Sequence, residues 1–485
     1  MRLNQLLQGL QFDPLDSHFL DLEIETICCD SRKAIKNSLF VAVAGVASDG
    51  ADFIEMAIER GACVVVTSKK SPDHARYSNI CFVYVTDARA CLRDITIRFY
   101  DNPSKKLRVI AVTGTNGKTT ITYLIESILH QAEKICGIIG TVNYRIGENV
   151  LPAGNTTPGF LEIQQLLARM VDQGSEYCVM EVSSHALDQG RVEGIDFRTA
   201  IFTNLTSDHL DYHHTRENYF AAKAKLFIGL SSESCAVINA DDVYGRKLFS
   251  KTKANIITYG IDREADVMAK NIEMDLAGTK FKIVCPEGEV IIRTKLVGKY
   301  NISNILAAFS AGLAEKISLE KIKNGIESLT LVPGRLEAVD CGQDFTVLID
   351  YAHTADALEN VLTAIRKTMD TKIILVFGCG GDRDKTKRPV MGKVASQLAD
   401  FTIITNDNSR SEEPEAIIQQ IVDGFEGDHY EVIVSRQEAI HKALGVAKAG
   451  NVVLIAGKGH ETYQIFKDKT INFDERKVIQ QFILC

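Results

Sequence analysis

The sequence predicts an α/β protein in which helices cover sheets of mostly parallel strands. Short runs rich in β-branched residues recur along the chain, and each is followed by a glycine-rich or polar turn and a helix-like stretch. Examples are GACVVVTS, LRVIAVTG, EYCVMEVS, TKIILVFG, DFTIITND and NVVLIAGK. Continuous apolar runs of this kind are typical of strands buried on both faces of a parallel sheet. Because ligands of open α/β sheets bind beyond the carboxyl ends of the strands, the polar residues after each run are the candidate functional residues.

Two breaks divide the 485 residues into three regions. The segment DNPSKKLR at 101–108 has the composition of a linker, and LVPGRLE at 331–337 contains a Pro-Gly pair typical of a hinge. We therefore expect domains at residues 1–105, 106–333 and 334–485.

The composition is that of a soluble globular protein, with 45% hydrophobic and 24% charged residues. A formal net charge of -8 argues against nucleic-acid or anionic-membrane partners, which need a basic surface. We expect no signal peptide and no membrane insertion, because no apolar run approaches the roughly 20 residues that cross a bilayer. Twelve cysteines without a CxxC pair indicate reduced thiols, and hence a cytoplasmic location.

The strongest signal for function is the segment VIAVTGTNGKTTITYLIESIL, in which a buried strand leads through a glycine-rich turn into a helical pattern. Lys118 can reach terminal phosphate oxygens, and Thr119 offers a hydroxyl to Mg²⁺. The strict Walker A spacing would place glycine where Val112 stands, but strand, GTNGKTT and helix together still indicate an ATP site. The residues of the turn predicted to bind ATP are Gly114, Thr115, Asn116, Gly117, Lys118, Thr119 and Thr120.

An acidic residue ends the apolar run of EYCVMEVSSHALDQGR. Beside a phosphate loop, this residue, Glu181, is placed where a nucleotide-bound metal is commonly held. In the following FTNLTSDHLDYHH, His209 is a candidate ligand, although a single histidine is more often structural. Its neighbours are also polar, without indicating which one acts: Asp208, Asp211, His213 and His214.

These segments and others resemble the Mur ligase family, in order and over nearly the whole chain. The matching segments are GTNGKTT, NTT at 155–157, EVSSH, TNLTSDHLDYH, YFAAKAKLF, GKYNISN, PGRLE and DYAHTADALE. FGCGGDRDKTKRP, DNSRSEEP and AGKGHETYQ are similar to the branch of the family that makes a UDP-MurNAc-tripeptide. The resemblance implies an N-terminal UDP-binding α/β domain, a central phosphate-loop ATPase-like parallel sheet and a C-terminal Rossmann-like domain.

The resemblance also implies the reaction. The branch uses ATP and Mg²⁺ to join UDP-MurNAc-L-Ala-D-Glu to meso-diaminopimelate or L-lysine through an acyl phosphate, in peptidoglycan precursor synthesis. We expect a cytoplasmic monomer.

The family match assigns a role to Lys223 that spacing alone does not. It corresponds to a lysine that the family converts to a carbamate by reaction with CO₂, which replaces a cation that would repel Mg²⁺ with an anionic oxygen ligand. From the residues alone, Lys223 and Lys225 are both interpreted as solvated helix residues. The implied metal ligands are Thr119, Glu181, His209 and Lys223 as its carbamate. The implied catalytic residues are Lys118, Glu181, His209, Lys223 and Arg335.

The same match implies further ATP contacts. Asn301 and Asn304 of GKYNISN would meet the adenine side, Arg335 of PGRLE the terminal phosphates, and Asp350 of DYAH the ribose. Each also has an alternative interpretation as a cap, a hinge salt bridge or a turn residue.

Contacts to the UDP-sugar and its dipeptide are implied in two parts of the chain. TICCDSR resembles the family's UDP-sugar turn, where Ser31 and the backbone of Cys29 would meet the nucleotide. A second UDP contact follows the strand of FVAVAGVASDG, at Val46, Ala47 and Ser48. The implied contacts to the MurNAc-dipeptide are Asn155, Thr156, Thr157, Ser183, Gln189 and Arg191.

Three predicted strand ends in the third region carry the residues implied to bind the added amino acid. They are Arg383, Asp407, Asn408, Ser409, Arg410, Gly457 and Glu461. A zwitterion needs a guanidinium for its carboxylate and an acid for its ammonium group. Diaminopimelate has a second carboxylate that lysine lacks, and Arg410 could hold it by a bidentate pair. Ser409 replaces the proline usual in the family, which leaves the loop less constrained.

Three other functions compete with diaminopimelate ligation. The lysine-adding version of the enzyme is disfavoured by Arg410. A folylpolyglutamate-type ligase shares GTNGK but is disfavoured by the UDP-type first region and by the GDRD and GKGHE loops. A nucleotide-dependent binding protein or switch is disfavoured by the joint presence of Lys118, Glu181, His209 and Lys223.

Overall fold

The computed structural model describes residues 1–45, 48–275 and 278–484. Its chain divides into two compact units. The first comprises Met1–Arg108, Pro158–Glu176 and Gln189–Asp196, and the second comprises Val109–Thr157, Tyr177–Asp188 and Phe197–Cys485. Among the described residues, no helix combines the length and the apolar character needed to cross a membrane.

The first unit is built on a parallel sheet of four strands, in the order β1-β2-β3-β4, within the described part of the chain. The strands are β1 (Thr26–Cys28), β2 (Ser38–Ala42), β3 (Ala62–Thr67) and β4 (Cys81–Tyr84). The helices of this unit are α1 (Leu3–Leu7), α2 (Ile54–Glu59), α3 (Ala88–Phe99) and, from a later part of the chain, α5 (Phe160–Asp172). Leu39 and Val64 pack into one core and Phe40 and Val65 into another, so both faces of the sheet are covered. This burial explains the unbroken apolar runs of the strands.

The second unit contains, over its described residues, a sheet of 11 strands in the order β15-β14-β13-β12-β11-β10-β5-β9-β6-β7-β8. Its strands are β5 (Arg108–Thr113), β6 (Cys136–Ile139), β7 (Asn143–Ile146), β8 (Asn149–Pro152), β9 (Tyr177–Glu181), β10 (Phe197–Phe202), β11 (Cys235–Asn239), β12 (Asn255–Gly260), β13 (Val267–Asp275), β14 (Gly278–Cys285) and β15 (Gly288–Thr294). Strand β5 pairs in parallel with β10, and β6 pairs in parallel with β9. Antiparallel pairs β6–β7, β7–β8, β13–β14 and β14–β15 extend the two edges.

Helices cover this sheet and form its main core. They are α4 (Lys118–Gln131), α6 (Ser184–Asp188), α7 (Leu210–His213), α8 (Arg216–Ile228), α9 (Val243–Arg246), α10 (Lys299–Ala314) and α11 (Leu319–Ser328). Ile110 and Val112 of β5 are fully buried in one cluster with Ile121 of α4 and Ile305 of α10. The phosphate-loop strand therefore lies in the interior, and only its carboxyl end opens toward polar residues.

The second unit also contains a sheet of six strands, again counted over the described chain, in the order β16-β17-β21-β18-β19-β20. The strands are β16 (Glu337–Ala338), β17 (Thr346–Asp350), β18 (Ile373–Phe377), β19 (Phe401–Ile404), β20 (Tyr430–Val432) and β21 (Val452–Ala456); β22 (Tyr463–Ile465) and β23 (Thr470–Asn472) form a separate pair. The helices are α12 (Ala355–Thr368), α13 (Lys387–Leu398), α14 (Pro414–Val422), α15 (Arg436–Val446) and α16 (Glu475–Leu484). Leu375 and Ile374 of β18 enter different cores on the two faces.

The predicted α/β class with largely parallel sheets is confirmed. The predicted boundaries after residues 105 and 333 stay a prediction. The second compact unit includes residues from both sides of position 333.

Candidate active site

A cavity of about 460 Å³ in the second unit brings together residues that are far apart in the sequence. It is lined by predicted site residues that follow strands of both the large sheet and the six-stranded sheet. From the ATP-side and metal-side predictions these are Gly114, Thr115, Asn116, Gly117, Lys118, Thr119, Thr120, Glu181, His209, Lys223, Asn304, Arg335 and Asp350. From the acceptor-side predictions they are Thr156, Ser183, Arg383, Asp407, Asn408, Arg410, Gly457 and Glu461.

The phosphate loop joins the carboxyl end of β5 to the first residue of α4. Gly114 has a φ of +146°, and a Cβ there would stand 1.8 Å from the Thr203 hydroxyl oxygen. Gly117 caps α4 at a φ of 90°, and a Cβ there would stand 2.3 Å from Asn304 Oδ1. Glycine is therefore required at both positions. The turn also presents the positive end of the 14-residue helix to the cavity, which favours an anion such as phosphate.

Two lysines share one acceptor in this loop. Lys118 Nζ donates to Gly114 O at 3.0 Å and to Thr115 O at 2.8 Å, and Lys223 Nζ donates to Gly114 O at 2.8 Å. Burial lowers the pKa of Lys118, and burial together with the charge of Lys118 lowers the pKa of Lys223 well below its ordinary value. The interpretation of both α8 lysines as solvated is wrong for Lys223, which is 1% exposed, whereas Lys225 lies at the surface and pairs with Asp188.

Glu181 ends β9 and is buried beside the phosphate loop. Its Oε2 accepts from Thr119 Oγ1 at 3.2 Å and from Thr141 Oγ1 at 2.8 Å, and its Oε1 accepts from Thr141 N at 2.9 Å. His209 stands at the start of α7, and burial lowers the pKa of its imidazole to about 3, which keeps the ring neutral. A carboxylate, a threonine hydroxyl and a neutral imidazole therefore line one wall of the cavity.

Arg335 of the predicted hinge and Asp350 at the end of β17 also lie on this wall. Arg335 Nη2 donates to Thr119 Oγ1 at 3.2 Å, and its guanidinium lies 4.6 Å from the centre of the Tyr351 ring. Asp350 accepts from the backbone nitrogens of Leu336 at 2.7 Å and Ala352 at 2.8 Å, and burial raises its pKa. These two bonds fix the orientation of the Asp350 carboxylate, and its predicted contact with the ribose stays a prediction.

The predicted adenine-side residues lie in the first turns of α10. Asn304 lines the cavity, whereas Asn301 is buried next to it and donates from Nδ2 to Val297 O at 2.8 Å. Asn304 Nδ2 donates to Asn301 Oδ1 at 3.1 Å, so Asn301 contacts the cavity residue rather than the cavity.

The structure adds a contact that the sequence did not predict. Asn116 Nδ2 donates to Asp356 Oδ2 at 2.7 Å, which links the phosphate loop to the first turn of α12. The two residues are 240 positions apart, so no local pattern could have signalled the pair.

The charged loops of the six-stranded sheet form another wall. Burial and the nearby charge of Arg383 lower the pKa of the Arg410 guanidinium, whose Nη1 donates to Gly381 O at 2.8 Å. Although burial opposes it, the charges of Lys458 and Arg436 lower the pKa of Asp407. Two guanidinium groups that repel each other favour an anion between them. Ser409 is 2% exposed in the same loop.

The remaining predicted contacts fall in both units. In the second unit, Thr157 Oγ1 donates to Glu181 O at 2.8 Å and Tyr144 OH donates to Asn155 O at 2.7 Å. In the first unit Arg191 donates to Gln189 Oε1, Ser31 is buried, and Cys29 and Ser48 are exposed. Val46 and Ala47 lie outside the described residues.

Comparison with known proteins gives a family for the whole chain. Three family models match in order: "Mur ligase family, catalytic domain" at residues 23–100, "Mur ligase middle domain" at 112–312 and "Mur ligase, glutamate ligase domain" at 334–459. The UDP-N-acetylmuramoyl-L-alanyl-D-glutamate–2,6-diaminopimelate ligase of Clostridium botulinum is 45% identical over 485 residues, covering 100% of this chain and 99% of the relative. The ligase of the same name from Geobacillus thermodenitrificans is 47% identical over 464 residues, covering 94% of both chains.

Solved structures give the same result. A UDP-N-acetylmuramoyl-L-alanyl-D-glutamate–2,6-diaminopimelate ligase superposes with a TM-score of 0.70 at 32% identity, covering 100% of this chain and 98% of the other. A folylpolyglutamate synthase of Mycobacterium tuberculosis superposes with a TM-score of 0.62 at 17% identity, and the match covers 75% of this chain and 91% of the synthase chain. The two proteins share the fold. The chain therefore belongs to the Mur ligase family and is an ATP-dependent ligase.

Proposed function

We propose that this ligase joins meso-diaminopimelate to UDP-MurNAc-L-Ala-D-Glu through an acyl phosphate, in peptidoglycan precursor synthesis. The observation that carries the choice of amino acid is the pair of guanidinium groups, Arg383 and Arg410, on the same cavity as the acids Asp407 and Glu461. Diaminopimelate offers two carboxylates to two guanidinium groups, whereas lysine offers one. The two bacterial relatives, both named UDP-N-acetylmuramoyl-L-alanyl-D-glutamate–2,6-diaminopimelate ligases, support the same pair of substrates.

The wall next to the phosphate loop fits Mg²⁺ if Lys223 is a carbamate. Among the described residues, no group of three or more His, Cys, Asp or Glu side chains is arranged to hold a metal. Thr119 and Glu181 supply oxygen atoms, and Mg²⁺ prefers oxygen ligands. A buried neutral amine at Lys223 is the form that adds CO₂, and the product is an anionic oxygen donor at the same place. When bound, Mg²⁺ would neutralise charge on the phosphates of ATP.

The cationic side chains supply the electrostatic part of phosphoryl transfer. The γ-carboxylate of the D-Glu residue attacks the terminal phosphorus of ATP in line, the bond to the oxygen that bridges the β- and γ-phosphates breaks, and ADP leaves; negative charge accumulates on the phosphates during this transfer. Lys118 and Arg335, with the positive end of α4, are placed at the phosphate loop to offset this charge. We propose Lys118, Glu181, His209, Lys223 and Arg335 as the catalytic residues.

The second step joins the amino acid to the acyl phosphate. The neutral amine attacks the acyl carbon, the bond from that carbon to the phosphate oxygen breaks, and phosphate leaves together with the proton that the amine loses on becoming an amide. The two walls of the cavity would hold the reactants side by side, which replaces an encounter in solution with a positioned reaction. Exclusion of water by the same walls would protect the acyl phosphate from hydrolysis.

An amino-acid competition assay tests the proposal. UDP-MurNAc-L-Ala-D-Glu, ATP and Mg²⁺ are supplied with diaminopimelate, with L-lysine or with both, and the nucleotide-linked products are separated by mass. We expect phosphate release to depend on both acceptors, and the diaminopimelate product to dominate. A dominant lysine product would make this chain the lysine-adding enzyme, and phosphate release without any ligated product would favour a nucleotide-dependent switch.

Replacing Arg410 by alanine is expected to lower kcat/KM for diaminopimelate by about ten- to a hundredfold or more. The reason is that a charge-assisted bidentate pair contributes about 1.5–3 kcal/mol, and about 1.4 kcal/mol is a factor of ten. Use of lysine should change little or improve, because the mutation removes a guanidinium that lysine leaves unpaired. Arg410→Lys should restore only part of the loss, since an ammonium group cannot form the planar fork.

Two matched variants show whether the Arg410 effect is specific. Arg383→Ala should impair both amino acids, because we assign Arg383 to the carboxylate that both share. Lys385→Ala removes a largely exposed cation near this loop and should affect neither. Equal losses for diaminopimelate and lysine in Arg410→Ala would contradict the assignment. If the serine at 409 leaves the loop loose, Ser409→Pro should sharpen the preference for diaminopimelate.

A further inference from the structure

Lys458 is a fully buried lysine directly behind the acids of the proposed amino-acid site. Its side chain is 0% exposed, and its Nζ donates to Asn408 Oδ1 at 3.0 Å and to Glu461 Oε2 at 3.0 Å. Asp407 Oδ1 lies 3.9 Å from the same Nζ. The described residues that line the cavity include all three of these partners but not Lys458 itself. The lysine therefore reaches the site only through other side chains.

Lys458, Asn408 and Glu461 form a closed triangle of hydrogen bonds. Asn408 Oδ1 accepts from Lys458 Nζ and also from Ile465 N at 3.0 Å, while Asn408 Nδ2 donates to Glu461 Oε2 at 2.9 Å. Glu461 Oε2 thus accepts from both Lys458 and Asn408. The other oxygen of this carboxylate, Oε1, has the hydroxyl of Tyr351 as a neighbour at 3.4 Å. The triangle fixes the carboxylate by one oxygen and leaves the second less constrained.

The triangle also reaches the loop that carries Arg410. The backbone oxygen of Asn408 accepts from Arg410 Nη1 at 3.3 Å and from Gly381 N at 2.9 Å. Lys458 binds the side chain of Asn408, and the backbone oxygen of Asn408 binds Arg410. Loss of the Lys458 ammonium would therefore disturb both the Glu461 carboxylate and the Arg410 guanidinium. A single buried charge therefore connects the two kinds of group that a zwitterion needs.

Stability alone gives no reason for an ammonium group here. Burial of a charge is costly unless it is fully paired, and replacing a buried ion pair with apolar side chains is often neutral or stabilising. Apolar side chains at 407, 458 and 461 together would fill a similar volume without any buried charge. The ammonium is instead paired with two acids that line the cavity, Glu461 at 3.0 Å and Asp407 at 3.9 Å, which are the groups that a cationic ligand would meet.

We propose that Lys458 is a positioning residue of the amino-acid site. Its ammonium holds Glu461 and Asn408 in the geometry in which Glu461 Oε1 and Asp407 receive an ammonium group of the incoming amino acid. This inference rests on the proposed function, since it requires an amino acid in this part of the cavity.

The test compares Lys458→Met and Lys458→Arg with wild type in steady-state ligation assays. We expect Lys458→Met to raise KM for diaminopimelate about tenfold or more, because it removes charge-assisted bonds from two site residues. The KM values for ATP and for UDP-MurNAc-L-Ala-D-Glu should stay within about twofold of wild type. Lys458→Arg should recover part of the loss, because it keeps the charge. The matched control is Lys442→Met, which removes a surface lysine of α15 paired with Glu431 and should leave all three KM values unchanged.

A double-mutant cycle tests whether Lys458 acts through Asn408. Asn408→Ala and Lys458→Met should be non-additive, with the double variant no worse than about twofold beyond the poorer single variant. If Lys458→Met does not fold, as judged by its thermal unfolding, the neutral Lys458→Gln takes its place in the same cycle.

Three results would overturn the inference: an unchanged KM for diaminopimelate, an equal rise in all three KM values, or additive effects in the cycle. Wild-type enzyme that ligates neither diaminopimelate nor lysine would instead overturn the proposed function. The two failures are therefore distinguishable in one set of assays.

Discussion

Replacing Lys118 by alanine is expected to lower ATP-dependent ligation by about a hundred- to a thousandfold or more while the protein stays folded. The Nζ group of Lys118 is held by the carbonyl oxygens of Gly114 and Thr115, directly in the turn that would surround the phosphates. An alanine leaves the helix and the glycines of the turn in place but removes the cation that offsets charge on the transferred phosphate.

The fold should tolerate this change, and the reason can be tested separately. Burial lowers the pKa of Lys118, so the folded protein disfavours its charged form and gains little stability from it. The thermal unfolding temperature of Lys118→Ala should therefore equal or exceed that of wild type. Lys225→Ala serves as the matched control, because Lys225 is a partly exposed lysine paired with Asp188 and should lose no activity. Full ligase activity in Lys118→Ala would remove the basis for the ATP site.

The α/β class and the phosphate loop were predictable because both are encoded locally. Strands buried on two faces need unbroken apolar runs, and β5 and β18 show them in full. The turn after β5 needs glycine at 114 and 117 within a few residues of each other, so its spacing is visible in the sequence. Neither inference requires knowledge of distant contacts.

The parts of the site that could not be predicted depend on contacts between distant residues. Lys223 and Lys225 are two positions apart on α8, and only the packing of α8 against Gly114, 109 residues earlier, buries the first and exposes the second. Lys458 lies between two residues of the GKGHE loop that were predicted as substrate contacts, Gly457 and Glu461, but was not itself singled out from the sequence. Its burial follows from Asn408, which is 50 residues away. Asn408 itself was predicted as a substrate contact, and the structure shows most of its side-chain bonding capacity used within the protein.

Replacing Lys223 by alanine is expected to leave less than about one hundredth of the wild-type activity, because the carbamate would supply an oxygen ligand to Mg²⁺. The carbamate forms when the neutral amine adds to CO₂ and releases one proton. Small carboxylates such as acetate or formate should restore part of the activity of Lys223→Ala, since they can place an anionic oxygen in the space left by the side chain. They should not restore Lys118→Ala, which serves as the matched control because it removes a neighbouring lysine that donates to the same acceptor, Gly114 O.

The pH dependence of stability tests the state of the amine without any activity assay. In protein freed of CO₂, the pKa of folded Lys223 lies well below the value of 10.5 that the unfolded chain restores, so unfolding takes up a proton. The contribution of Lys223 to wild-type stability should therefore rise with pH between its folded pKa and about 10. Lys223→Met lacks this proton uptake, so it should be more stable than CO₂-free wild type at pH 7, and the difference should narrow as pH approaches 10. Added bicarbonate should stabilise wild type but not the variant, because carbamate formation joins an anion to the cation of Lys118. A stability difference that is constant from pH 6 to 10, or one that bicarbonate leaves unchanged, would mean that Lys223 is an ordinary protonated lysine and that the carbamate assignment is wrong.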